Sequence, residues 1–96
     1  MYDYDKLVIQ VQRVSENHKF VISGVAFKKK KEKNEYKYTL KPVKSKIYGS
    51  LFGEKNAIKT AKTIANDEHD ALLYKEIVAV IYNDNSGIGD VIWREE

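Results

Sequence analysis

Leu7, Ile9 and Val11 alternate with Val8, Gln10 and Gln12, the period of two that a half-buried strand requires, so residues 7–14 are read as a first strand. A polar turn at Ser15-Glu16-Asn17-His18 follows. Residues 19–27 then carry Phe20, Ile22 and Ala26 on one side and Val21, Val25 and Phe27 on the other, the pattern of a central strand buried on both faces. Residues 28–34 contain no apolar side chain and are expected to form a loop. A third strand is expected over residues 35–43. There Tyr36, Tyr38 and Leu40 alternate with Lys37, Thr39 and Lys41, and Pro42, which cannot donate to a ladder, marks an edge or the strand's end.

The period changes after a short connection. Ala57, Ile58, Ala61, Ile64 and Ala65 fall on one stripe of a helix expected over residues 53–66, with Lys55, Lys59 and Lys62 on the outer face. The polar group Asp67-Glu68-His69-Asp70 is expected to end it, with residues 71–73 either prolonging it or forming a second short turn. Residues 76–82 include the run Ile77-Val78-Ala79-Val80-Ile81, apolar on both faces, hence another central strand. Asn83-Asp84-Asn85-Ser86-Gly87 is the strongest turn signal in the chain, and residues 88–94 close a final hairpin.

The element order is β-β-β-α-β-β. It predicts a single α+β domain spanning residues 1–96, with a mainly antiparallel sheet of about five strands and one helix packed on one face. One helix cannot cover both faces of such a sheet. The free face is therefore either polar and solvated or covered by a second copy of the chain in a homodimer, a useful gain for a chain that buries only about 60–65% of its unfolded surface.

Composition limits the function classes. The 96 residues are 43% hydrophobic, too apolar for a disordered tail, and no run approaches the roughly 20 apolar residues of a membrane span. The first residues read as no signal peptide, and the absence of Cys removes disulfide, thiolate-metal and thiol redox chemistry. A cytoplasmic location, with no membrane partner, is expected on these grounds.

Charge is unevenly placed. The net +3 is made of a neutral segment 1–27, a segment 28–46 with nine Lys against Glu32 and Glu35, and a segment 54–96 that is net acidic. Lys28, Lys29, Lys30, Lys31, Lys33, Lys37, Lys41, Lys44 and Lys46 thus form the candidate partner-binding set, and their anionic complement is nucleic acid or a nucleic-acid-bound protein machine. Lysine without arginine favours general electrostatics over bidentate base readout, so binding is expected to be independent of sequence. Strand alternation puts Tyr36 and Tyr38 on the opposite face from Lys37 and Lys41, so these tyrosines are read as core-facing and removed from the basic surface.

Catalytic constellations are weak. No Ser stands in a Gly-x-Ser-x-Gly elbow beside His18 or His69; Glu35-Tyr36-Lys37 resembles a nuclease Glu-x-Lys but lacks an acidic partner on the preceding strand; residues 67–70 and 83–87 lack metal-ligand spacing. The expectation is a non-enzymatic protein with neither cofactor nor metal. A weaker anion site is read at Gly49, Ser50, Gly53 and Lys55, where glycines and a lysine approach the helix N-terminus without matching a P-loop. It supports an alternative function, an oligomeric protein that holds a phosphorylated small ligand such as a nucleotide. In style, a compact Lys-, Asn-, Ile- and Tyr-rich domain looks similar to small accessory proteins of phages and mobile elements, some of which inhibit host defence nucleases. No particular motif carries that likeness.

Overall fold

The computed structural model describes residues 2–14, 18–33, 35–82 and 89–95. Its elements are β1 (Tyr4–Arg13), β2 (Lys19–Lys31), β3 (Tyr38–Phe52), α1 (Glu54–Asp70), β4 (Tyr74–Tyr82) and β5 (Asp90–Arg94). They build one sheet in the order β3-β2-β1-β4-β5. Residues 15–17 of the turn expected at 15–18, and the whole of the turn expected at 83–87, lie outside the described residues.

The sheet is mixed, which corrects the expected antiparallel arrangement. β2 runs antiparallel to both β1 and β3, and β5 antiparallel to β4, but β1 and β4 are parallel, with Leu7 opposite Ile77 and Val11 opposite Ile81. The helix is the reason. It carries the chain from the edge strand β3 across to β4, and a helical crossover returns the chain in its original direction, whereas a hairpin reverses it.

The core follows from the alternation. Leu7, Ile9 and Val11 of β1, Phe20, Ile22 and Ala26 of β2, and Ile77, Ala79 and Ile81 of β4 form a single buried cluster with Ala57, Ala61 and Ala65 of α1. Alanine at every fourth position leaves the helix surface flat enough to lie close to the strands. The sheet's other side is less polar than a solvated face would be: register places Val8, Val25 and Val78 side by side there, with Val21 and Val80 further along. Val78 and Val80 are buried, while Ile47 on β3 is 73% exposed.

β1 and β4 begin two or three residues earlier than expected, and three larger departures concern β2, β3 and α1. β2 continues through Lys31, so Lys28 to Lys31 belong to a strand instead of a loop. β3 begins at Tyr38 and runs to Phe52, absorbing the expected connection. Register shifts at Ile22/Ser23 and Ala26/Phe27 break the period of two, which hides this strand from pattern reading. The helix runs four residues further, to Asp70, because its acidic last turn has tertiary partners: Tyr48 donates to Glu68 at 3.2 Å, and His69 Nε2 lies 3.0 Å from Glu95 Oε1. Leu72 ends it in a left-handed conformation, φ 56°, its N–H bonded to the His69 carbonyl at 3.2 Å.

Candidate functional site

β1 pairs with β2 only as far as Lys6 opposite Phe27. From Lys28 onward β2 has one neighbour, and the two strands leave the body as a ribbon. Asp5 marks the departure. Its carboxylate accepts a hydrogen bond from the Lys29 N–H, replacing the ladder partner that β1 no longer supplies, and also pairs with Lys75 Nζ at 3.4 Å. The Lys29 N–H, aided by Lys75, holds the Asp5 carboxyl below its ordinary value. At the far end, the Glu32 N–H bonds the Lys37 carbonyl at 3.1 Å. This arm gives the protein extents of 47 × 29 × 21 Å and a radius of gyration of 14.2 Å. A compact chain of this length has a radius near 12.5 Å.

Register decides what each face of the arm carries. Lys28 is opposite Lys41, Ala26 opposite Lys44 and Gly24 opposite Lys46, and Lys30 is opposite Thr39. Cross-strand partners share a face, so Lys28, Lys30, Lys41, Lys44 and Lys46 stand together on the face that continues the helix-covered side of the sheet. The track runs six residues along β2, about 20 Å. Lys29 and Lys31 lie on the reverse face, opposite Leu40 and Tyr38. Lys33 and Lys37 sit in the connection at the tip. Among the described residues the ion pairs are Lys6–Glu76 and Lys75–Asp5, and His69 lies 3.7 Å from the Asp70 carboxylate and 3.0 Å from that of Glu95; no arm lysine takes part in such a contact.

The tyrosines are not where alternation alone put them. Tyr36 stands in the tip, 89% exposed, and Tyr38 is 52% exposed with Lys29 Nζ 4.5 Å from its ring centroid. Neither faces the core. Alternation within β3 correctly separated Tyr38 from Lys41; it carried no information about the lysines of β2 that pairing brings beside Tyr38.

Where the track meets the body there is a cavity of about 220 Å³, with Leu7 and Ala26 among its apolar lining and Lys44, Lys46, Tyr48, Glu68 and Tyr74 among its polar lining. Tyr48 reaches it from the register shift in β3. Its ring lies against Gly24, where an added Cβ would stand 2.8 Å from Tyr48 Cε2, and Lys46 Nζ is 5.0 Å from the ring centroid. Burial raises the Tyr48 and Tyr74 hydroxyl pKa values, and the nearby Glu68 charge raises them further. Both phenols therefore keep their protons at neutral pH, and Tyr48 is the donor in its bond to Glu68. The sequence marked Glu68 only as part of a helix-ending polar group and Tyr48 not at all, because their meeting depends on how the helix end lies over β3.

The residues of the weaker anion site lie on β3 and at the start of α1. Gly49 and Ser50 are strand residues opposite Ile22 and Val21, the Gly53 N–H donates to the His18 carbonyl at 2.9 Å, and Lys55 points outward from the first turn of α1. Among the described residues, no group of three or more His, Asp or Glu side chains is arranged to hold a metal ion, and no helix is long and apolar enough to cross a membrane. No protein-family model, curated protein or solved structure matches the chain.

Proposed function

We propose that this protein is a non-enzymatic binding protein whose β2–β3 arm engages the sugar-phosphate backbone of nucleic acid, either free or exposed in a nucleoprotein machine. One observation carries the reading: five lysines line one face of β2 and β3, Lys28, Lys30 and Lys41 on the projecting ribbon and Lys44 and Lys46 at its root, and among the described residues none of them is in an ion pair. Edge protection accounts for part of this charge, since Lys41, Pro42, Lys44 and Lys46 discourage another strand from pairing with β3. Beyond Phe27 the other side of β2 is an edge as well, so Lys28 and Lys30 guard that edge too; edge protection does not require them to share a face with Lys41, Lys44 and Lys46, which doubles the width of the track. A protein of this kind acts by occupancy. It covers a nucleic-acid strand, or the site where a machine such as a defence nuclease holds one, and needs no reacting group.

The test is charge reversal. The triple variant K28E/K30E/K41E is expected to lose nucleic-acid binding while keeping its melting temperature, because exposed lysines add little to folding. With five contacts, log K against log salt should fall with a slope of about −3.5 on single strands or −4.5 on duplex. Unchanged affinity in the variant overturns the reading. Capture from a lysate that survives nuclease digestion replaces the nucleic acid with an acidic protein surface.

A further inference from the structure

The cavity at the root of the arm has a composition that backbone binding alone does not call for. Lys44 and Lys46 belong both to the lysine track and to the cavity lining, so a phosphate held by them stands at the mouth. Inside is the Glu68 carboxylate. One of its oxygens, Oε1, accepts from Tyr48, and the other has no hydrogen-bond donor among the described residues. Leu7 and Ala26 provide an apolar surface beside it, and Tyr74, its ring stacked on Tyr4 with centroids 5.5 Å apart, forms a rigid wall. The volume equals that of about seven liquid waters, enough for one flat heterocycle.

We propose that this cavity receives a single unstacked nucleobase carrying an exocyclic amino group, its phosphate resting on Lys44 and Lys46 and its N–H donated to Glu68. The proposal rests on the nucleic-acid reading of the arm and adds a base preference to it. An ionised carboxylate only accepts hydrogen bonds, so it pairs with the amino group of cytosine, adenine or guanine, whereas thymine has no amino group and offers it only an N3–H flanked by two carbonyls that the carboxylate opposes. Because Tyr48 already donates to Oε1, the remaining oxygen is oriented before any ligand arrives, which lowers the ordering cost of binding. The same chemistry fits a free nucleotide, and the experiment separates the two sources.

Binding is measured by fluorescence anisotropy for three unstructured six-unit oligomers, namely oligo-dC, oligo-dT and an abasic phosphodiester, and by competition for CMP and TMP. The wild-type protein should bind oligo-dC about tenfold tighter than oligo-dT or the abasic strand, with similar salt slopes on all three. In E68Q the side chain still accepts from Tyr48 but presents an NH₂ group as well, so the dC-over-dT ratio should fall towards one while the salt slope stays. The wild-type ratio tests the proposal even if the variant folds poorly. Equal, salt-sensitive binding of all three oligomers overturns the base site and leaves the arm reading standing. Binding of CMP over TMP without oligomer binding keeps the base site, assigns it to a free nucleotide and overturns the arm reading. Absence of any binding overturns both.

Discussion

Gly24 shows how one residue positions the cavity. The Tyr48 ring occupies the space where a side chain would begin, so Gly24→Ala must push the ring aside and strain its bond to Glu68. A loss of about 1–2 kcal/mol is expected by urea denaturation, together with a weaker dC preference. An unchanged midpoint would mean that the ring moves freely. Leu72 makes the opposite case. It is exposed and holds a left-handed backbone that disfavours any residue with a Cβ. Leu72→Gly should therefore raise stability by about 0.5–1 kcal/mol, read as a higher denaturation midpoint.

At the scale of the element, the arm is held at its root by Asp5. Its folded-state pKa lies below the ordinary 3.8, so the carboxylate's contribution is present above that value and is lost as pH falls from there through the folded-state pKa. The Lys29 amide resonance should titrate with a midpoint below 3.8, and a midpoint at or above 3.8 would contradict the hydrogen bond. Asp5→Ala, which removes the acceptor, should speed hydrogen exchange at Lys29 and the outer ribbon while leaving exchange in β1 and β4 unchanged, since their ladders hold without it. The helix depends on the same kind of tertiary support. Its last turn carries Asp67, Glu68 and Asp70 at the end where the dipole disfavours acids, and it persists through contacts to Tyr48 and Glu95.

For the whole molecule, the core and the arm are separable. Every member of the buried cluster lies on β1, β4, α1 or the part of β2 up to Ala26. Replacing residues 29–40 by an Asn-Gly turn that joins Lys28 to Lys41 should therefore preserve cooperative unfolding and most of the stability while removing only Lys30 from the track, so that the salt slope on single strands falls by about 0.7. A shortened protein that fails to fold would show that the ribbon contributes to the core after all.

The order of elements, the central position of β2 and β4, the alanine stripe of the helix and the concentration of lysine between residues 28 and 46 are all local properties, readable from periodicity and charge along the chain. The parallel pairing of β1 with β4 was not local, because it depends on where the helix delivers the chain. The extent of β3 was hidden by two register shifts that interrupt its alternation. The lysine track and the cavity are decided by register and by the lie of the helix end: pairing brings Lys28 beside Lys41 and Tyr38 beside Lys31, and packing sets Glu68 over Tyr48. A sequence determines which side of its own strand a residue faces. Which residues of other strands stand beside it is settled only when the strands pair.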